Sequence, residues 1–328
     1  MKVTILKGSH EIGGTCIRLS SGKTSILLDA GLPLSPDSQP VALARLSVDA
    51  LLVSHPHQDH FGLMASLPPG TPVYIGRLAR SLIDATQVFI GKDRYALDFH
   101  DFKAWQPFTI GDFTITPYLV DHSATDAYAF LIEAKGKRLF YSGDLRSHGR
   151  KGILFENLVK RPIHDIDLLF LEGTMLHRSN DQFPDETAVE NTIFETIRQQ
   201  KNISFLLSSS QNIDRIVSAY RACKRAGKLL VIDIYTAWVP TPKLPRQILG
   251  ELVNQLVTVS STLLSALFQK DNTPPNLPIG RRHDGIDVSS GGGPGRFEQL
   301  DDSRADIFVV LRHGHQVGHR KSSVLVAA

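Results

Sequence analysis

The chain has 328 residues, of which 42% are hydrophobic and 21% are charged. This composition is typical of a globular protein with a sizeable core, and it excludes fibrous and wholly disordered proteins. The net charge of +3 permits a nucleic-acid partner but does not require one, because strong nucleic-acid binders are usually more basic.

Cysteine usage and apolar segment length bear on the cellular compartment. The chain contains only Cys16 and Cys223, too few for a disulfide framework, and its start lacks the apolar core of a signal peptide. The longest candidate membrane span, residues 252–268, is interrupted by polar side chains. We therefore expect a cytoplasmic protein with no membrane partner, and the sequence leaves the oligomeric state open.

Short apolar segments rich in strand-forming residues dominate the first half of the chain. The predicted strands are residues 3–6, 15–19, 25–29, 50–53, 73–75, 108–119, 127–133 and 138–141. Apolar residues at helical spacing predict helices at residues 61–67 and 78–90. The turns between several of these strands favour antiparallel pairing.

The second half of the chain alternates between strands and helices. The predicted strands are residues 166–171, 204–207 and 229–234, and the predicted helices are residues 186–199 and 213–226. This alternation is typical of a parallel sheet. The sequence therefore predicts an α/β (α+β) fold in which a strand-rich unit precedes an alternating one.

From Val239 onward the periodic pattern is lost. Aromatic residues become sparse, and the strand-like residues 307–311 are the exception in a segment with proline and glycine runs. We interpret residues 1–200 as one domain, 201–238 as part of a second domain, and 239–328 as an atypical tail. Out-of-frame translation after a truncation would explain this tail, as would a divergent or mobile extension, and we favour the former.

Four side chains that commonly bind metal ions follow a predicted strand at close spacing: His55, His57, Asp59 and His60. Pro56 favours extended backbone, so the imidazoles of His55 and His57 can point to the same side and share one ion. Asp59 and His60 can then reach a second ion about 3.5–4 Å from the first. Imidazole and carboxylate without thiolate favour zinc over manganese or iron. A polar, histidine-rich loop is the alternative interpretation.

Two further candidate ligands follow predicted strands. His122 comes directly after one strand, and Asp144 comes shortly after another. Ligands are often carried on the loops at strand ends, where they can converge. Taken singly, each has an ordinary alternative, because a histidine after a strand is often a surface residue and an aspartate after glycine commonly forms a turn.

The candidate ligands, together with Asp29, fall in four motifs that follow one another along the chain. These are Asp29 in Leu-Leu-Asp-Ala-Gly, the cluster from His55 to His60, His122, and Asp144 in Tyr-Ser-Gly-Asp. In this order the chain resembles the metallo-β-lactamase superfamily. The resemblance implies an αββα sandwich.

Within that superfamily, four short segments resemble the β-CASP nucleases, the ribonuclease J and cleavage-factor group. They are Asp121-His122-Ser123, Asp126-Ala127-Tyr128, Gly143-Asp144-Leu145-Arg146 and Glu172-Gly173-Thr174. Residues 208–235 resemble the start of the parallel-sheet β-CASP domain that is inserted in this group. The similarity covers about residues 1–238.

The resemblance also implies roles for individual residues. His55, His57 and His122 would hold one zinc ion, Asp59 and His60 the other, and Asp144 would bridge the two. Asp29 would fix a ligand by hydrogen bonding. Asp59 would be catalytic by orienting the attacking water, and Glu172 would be catalytic by supporting departure of the leaving group.

The histidine motifs with which members of this group return to the sandwich are not evident. His315 is a candidate for the last of them. Arg146, Arg150 and Lys151 follow Asp144, and we interpret them as a solvated loop, with contact to a substrate phosphate as the alternative.

The function implied by the resemblance is a dinuclear zinc-dependent hydrolase that cleaves nucleic-acid phosphodiester bonds. Single-stranded RNA is the expected partner, although fold resemblance alone does not choose a substrate. One alternative is a catalytically impaired metal-binding remnant or RNA-binding scaffold, because part of the expected chain is not evident. Another is a metallo-hydrolase of a small ester or thioester.

Overall fold

The computed structural model describes residues 1–176, 184–201 and 203–238, together with the backbone of residues 307–312. Most of the tail that begins at Val239, including His315, lies outside the described residues. The origin of that tail, and the division of the chain into domains at residues 200 and 238, stay predictions.

The first sheet has six strands, and Asp29 and His55 follow the carboxyl ends of two of them. The strands, in spatial order, are β1 (Lys2–Lys7), β2 (Cys16–Ser21), β3 (Thr24–Leu28), β4 (Ala50–Leu52), β5 (Val73–Gly76) and β6 (Phe99–Phe102). The pairs among β1, β2 and β3 are antiparallel, whereas β3, β4, β5 and β6 run parallel. Leu28 is paired with Leu52, so the segments after β3 and β4 emerge side by side.

The second sheet has five strands, and it brings His122 and Asp144 to one edge. In spatial order they are β11 (Leu168–Phe170), β10 (Lys137–Tyr141), β9 (Tyr128–Ala134), β8 (Phe113–Leu119) and β7 (Phe108–Ile110). Both β8 and β10 run antiparallel to β9, so their carboxyl ends lie at the same edge. His122 and Asp144 follow those two ends.

The two sheets pack face to face over an apolar core. Strand β9 shows the pattern, because Phe130 and Ile132 face the core between the sheets, whereas Ala129 and Leu131 belong to the cluster on the other face. Helix α2 (Arg77–Phe89) covers the outer face of the first sheet, and α3 (Gly152–Lys160) lies on the outer face of the second. The predicted αββα sandwich is confirmed.

A smaller parallel unit follows the sandwich. It contains α4 (Glu186–Arg198), β12 (Ser204–Ser208), α5 (Ile213–Ala226), β13 (Leu229–Val231), α6 (Ile234–Trp238) and β14 (Ile307–Arg312). Strand β14 lies between β12 and β13 and runs parallel to both. The predicted parallel sheet is therefore present, and the strand-like residues 307–311 are part of it. The strand predicted at residues 166–171 is wrongly placed, because β11 pairs with β10 in the second sheet of the sandwich.

Several predicted boundaries were wrong for identifiable reasons. The predicted strand at residues 108–119 is a hairpin, because Gly111 adopts a positive φ and separates β7 from β8. The helix predicted at residues 61–67 is a single turn, α1 (Gln58–Phe61), followed by a 3-10 turn at Met64–Ser66. Residue 234 begins α6 instead of ending a strand. Strand β6 and helix α3 were not predicted.

The structure also describes the lengths of the helices and the surroundings of the two cysteines. Within the described part of the chain, every helix falls short of the length and apolar character that a membrane span needs. Cys16 and Cys223 are both buried, and burial raises the pKa of each thiol to about 12. They are therefore unreactive side chains of the core.

The core between the sheets predicts that two isoleucine substitutions change the free energy of unfolding by very different amounts. Ile115 is fully buried between the sheets, whereas Ile153 on α3 is largely exposed. We expect Ile115→Ala to lower the free energy of unfolding by about 2–5 kcal/mol, because it leaves a cavity. Ile153→Ala should change it by no more than about 0.5 kcal/mol. Urea unfolding of both variants, followed by circular dichroism, measures the difference, and equal losses would contradict this assignment of the core.

Candidate metal centre

The histidine cluster lies where the chain leaves β4 and enters α1. Ser54 and His55 continue from the strand, His57 precedes the helix as its N-cap residue, and His60 lies within the helix. The backbone N–H of His60 donates to the carbonyl of His57. This abrupt change from extended to helical backbone gathers the side chains of the cluster at one point.

The short helix is held by backbone contacts with the segment that follows β3. The N–H of Ala30 donates to the carbonyl of His60 at 2.7 Å, and the N–H of Leu32 donates to the carbonyl of Gln58 at 2.9 Å. Carbonyls at a helix end have no partner within the helix, so the bond from Ala30 satisfies the carbonyl of His60, and the bond from Leu32 adds a second donor to that of Gln58. A helix of a single turn therefore has a defined position.

The buried carboxylate of Asp29 connects three parts of the site. It accepts hydrogen bonds from the backbone N–H of Ser54 at 2.7 Å, the hydroxyl of Ser54 at 2.8 Å, Nδ1 of His60 at 2.7 Å and the hydroxyl of Tyr141. Asp29 is fully buried and has a φ of +58°, a conformation that costs energy in a residue other than glycine. The four hydrogen bonds offset that cost.

These contacts also decide which ring nitrogens are free to bind a metal. A carboxylate only accepts, so Nδ1 of His60 carries its proton and Nε2 remains available. The Ser54 hydroxyl donates to Asp29 and can accept from Nδ1 of His55 at 3.0 Å, which leaves Nε2 of His55 available. Fixing the tautomer in this way is the usual function of the hydrogen-bond partners of a metal-binding histidine.

Three imidazoles converge in a first group of possible ligands: His55, His57 and His122. Nδ1 of His57 lies 3.2 Å from Nε2 of His55 and 3.3 Å from Nε2 of His122. Ligand nitrogens about 2.0–2.1 Å from a tetrahedral zinc ion lie about 3.3–3.4 Å apart. The observed spacing and the donor chemistry therefore fit a zinc ion.

A second group contains His55, His60 and Asp144. Nε2 of His60 lies 3.4 Å from Oδ1 of Asp144, and Oδ2 of Asp144 lies 4.0 Å from Nε2 of His55. Asp59 is not in either group of three, but its carboxylate lies 3.7 Å from Nε2 of His60. Asp144 thus faces both His55 and His60, and His55 belongs to both groups.

The glycine before Asp144 allows this close approach. Gly143 has a φ of +53°, and a Cβ atom there would lie 2.9 Å from the carbonyl oxygen of Tyr128 and 3.0 Å from Cβ of Ser54. Both the backbone conformation and the lack of space exclude a side chain. Glycine at this position lets β10 lead Asp144 directly to the histidines.

The protonation of the cluster follows from its burial and its charges. Burial, and then the nearby His60, lower the pKa of His55 well below its usual value, and burial and His57 do the same for His122. Both are therefore neutral near pH 7, as metal binding requires. Burial alone lowers the pKa of His60, but Asp144 and Asp29 outweigh it and raise the pKa well above its usual value.

Asp144 shows the opposite shift. Burial raises the pKa of its carboxyl, but the charge and hydrogen bond of His60, together with the nearby His122 and His57, outweigh burial and lower the pKa below its usual value. His60 and Asp144 thus form an ion pair, and the carboxylate of Asp144 stabilises positive charge beside Nε2 of His60. A cation at that point would replace the proton of His60.

All six residues predicted as metal ligands lie together, and Asp29 contacts one of them. Glu172 lies in the wall of a cavity of about 660 Å³ that Asp59, His60 and Asp144 also line. Its backbone N–H donates to the hydroxyl of Ser142. Sequence reasoning missed Ser54 and Tyr141, although one precedes His55 and the other precedes Asp144 in the Tyr-Ser-Gly-Asp motif.

The sandwich and the clustered ligands at its edge define a class of protein: an αββα fold with a site for metal ions. A family model described as "Beta-lactamase superfamily domain" matches residues 24–203, which is more than half of the chain. The chain belongs to this family. Family membership and the histidine-rich cluster together support metal binding.

The chain is also similar to curated ribonucleases. Ribonuclease J of Helicobacter pylori is 25% identical over 264 residues, which cover 71% of this chain and 36% of the relative. An RNase J-like protein of Methanocaldococcus jannaschii is 25% identical over 249 residues, which cover 70% of this chain and 56% of the relative. The chain thus spans only about a third to a half of the length of these relatives.

A solved structure supports the fold. The crystal structure of a protein of unknown function from Enterococcus faecalis V583 superposes with a TM-score of 0.62 at 18% identity. The superposition covers 74% of this chain and 67% of that one. It is evidence for the fold alone.

The hydrogen bonds of Ser54 predict that it supports metal affinity without touching the metal. We expect Ser54→Ala to weaken zinc binding about 10–100-fold, because Nδ1 of His55 and the carboxylate of Asp29 each lose a partner. The exposed Ser66, on the 3-10 turn, provides a matched control as Ser66→Ala. Competition with a chromophoric chelator measures the affinity of both variants. Equal affinities would contradict the role assigned to Ser54.

Proposed function

We propose that this chain is a dinuclear zinc-dependent hydrolase of the β-CASP type that cleaves phosphodiester bonds in single-stranded RNA. The observation that carries the proposal is the convergence of ligand atoms from His55, His57, His60, His122 and Asp144, with Asp59 beside them. These side chains come from three separate segments of the chain. A merely polar loop would not bring ligands from other strands to the same point.

In this proposal His55, His57 and His122 would hold one ion, His60 and Asp59 would hold the other, and Asp144 would contribute to both. The spacing of the three imidazole nitrogens supports the first assignment. The position of Asp144 between His55 and His60 supports its bridging role. The 3.7 Å between the Asp59 carboxylate and His60 supports the pairing of these two at the second ion.

When bound, the two ions would lower the pKa of a water molecule and offset negative charge on the reacting phosphate. Asp59 would orient the attacking water and accept its proton, because its carboxylate lines the cavity where the substrate would lie. Asp144 and Asp29 would keep the histidines in the orientation that the reaction requires. Glu172 lines the same cavity and would act on the leaving-group side.

RNA is the proposed substrate because the curated relatives are named as ribonucleases. They support the substrate class only, since the chain covers 36% and 56% of their lengths. The small cysteine content supports the cytoplasm as the compartment. Two alternatives, a metal-binding remnant and a hydrolase of a thioester or ester, predict different outcomes when zinc content and RNA cleavage are measured together.

The proposal predicts both metal content and cleavage. The full chain, reconstituted with zinc, should bind two zinc ions and cleave a labelled single-stranded RNA. A chelator should abolish cleavage, and added zinc should restore it. We expect Asp59→Asn to lower the rate by about 10²–10⁴-fold, because it removes the group that accepts the proton and also a carboxylate ligand of the second ion. His57→Ala should lower the zinc content, since it removes a ligand of the first group.

His100 provides the matched control for the histidine substitution. It lies on β6, where it is partly exposed and pairs with Asp98, away from the cluster. His100→Ala should keep two zinc ions and the full rate. Two bound zinc ions without RNA cleavage would point to a remnant or scaffold, and cleavage of a thioester instead of RNA would point to the other alternative. A chain that binds no zinc after reconstitution would refute the proposal.

A further inference from the structure

A buried cluster of charges joins the loop after Asp144 to helix α5 of the smaller unit. We call Arg146, Arg150 and Asp214 the Asp214 cluster. Nη2 of Arg146 donates to Oδ2 of Asp214 at 2.6 Å, and the backbone N–H of Arg150 donates to the same oxygen at 3.1 Å. The side chains of Arg146, Arg150 and Asp214 are only 13%, 17% and 10% exposed.

These contacts decide between the two interpretations of the arginines. Arg150 also donates to Glu190 at 2.8 Å and to the hydroxyl of Ser218 at 2.8 Å. Arg146 and Arg150 are therefore engaged with carboxylates of the smaller unit, and the prediction of a solvated loop was wrong. Their guanidinium groups bridge two parts of the protein, so they are poorly placed to meet a substrate phosphate.

The Asp214 cluster reaches the candidate metal centre through Asp121. The N–H of Arg146 donates to the carbonyl of Asp121 at 2.7 Å, and the N–H of Gly149 donates to its carboxylate at 2.7 Å. Nε of Arg146 lies 3.5 Å from the same carboxylate. Asp121 is fully buried and directly precedes His122 in the chain.

The loop passes so close to Asp121 at Gly149 that a side chain there would meet Asp121 and Arg146. A Cβ atom on Gly149 would lie 2.3 Å from Oδ1 of Asp121 and 2.5 Å from Nη2 of Arg146. The guanidinium of Arg146 therefore fills the space between Asp121 and Asp214. Its two carboxylate partners lie on different units, one beside His122 and the other in the first turn of α5.

We propose that Asp214 is a positioning residue, which orients the metal ligands His122 and Asp144 through Arg146. Arg146 follows Asp144 by two residues, so the same guanidinium constrains the loop that carries one ligand and the residue that precedes the other. The smaller unit thereby sets the metal affinity of the sandwich. This inference rests on the metal binding of the proposed function, but not on the choice of RNA as substrate.

The test compares two carboxylates of the smaller unit that both pair with arginine. Asp214→Asn removes the charge that faces Arg146, whereas Glu190→Gln removes a partner of Arg150 and Arg225 and leaves Arg146 untouched. We expect Asp214→Asn to weaken zinc binding by the full chain about 10–100-fold. Glu190→Gln should bind zinc as tightly as the wild type. Competition with a chromophoric chelator gives the zinc affinities, and thermal unfolding of the zinc-free variants gives their stabilities.

A purely structural role would show a different result. If Asp214→Asn lowers the zinc-free stability but binds zinc like the wild type, the proposal is overturned. If that variant does not fold, Arg146→Lys provides the same measurement, because lysine cannot fork between Asp121 and Asp214. A loss of zinc affinity in Arg146→Lys supports the proposal, and wild-type affinity overturns it. A wild-type chain without zinc would instead overturn the proposed function, and this inference with it.

Discussion

The hydrogen bonds to the carboxylate of Asp29 are the constraint on which the rest of the candidate site depends. This buried carboxylate accepts hydrogen bonds from Ser54 after β4, His60 in α1 and Tyr141 at the end of β10. These segments belong to both sheets, so a single acceptor fixes how the two layers meet at the metal centre. A buried carboxylate without such donors would be strongly destabilising, and the contacts are therefore required together.

The sandwich supplies the rigidity that the ligands need. Close packing between the sheets fixes the strands, and the backbone N–H of Tyr128 donates to the carbonyl of Ser54, which joins the start of β9 to the histidine loop. His55, His122 and Asp144 each lie three residues beyond the end of a strand, so the strand ends set their positions. The contacts of Arg146 with Asp121 and Asp214 extend this support to the smaller unit.

The sequence identified the residues that converge at the candidate site better than it predicted the elements around them. His55 to His60 form a local pattern, which the spacing of side chains reveals without knowledge of the fold. Hairpins and short helices depend on weaker signals: Gly111 divides one predicted strand into two, and α3 has no buried residue on which a periodic pattern could rest. The pairing of Arg146 with Asp214, which are 68 residues apart, has no local signal at all.

The sequence by itself determined the kinds of ligand, their order along the chain and the superfamily they resemble, because these are properties of residues near one another in the chain. Only the tertiary structure decided that His122 and Asp144 meet the histidine loop, that Asp59 lies outside the two groups of three, and that the arginines after Asp144 are paired. The physical reason is that these contacts join residues on different sheets and on different units. Their distances depend on strand order and on packing, which no local pattern encodes.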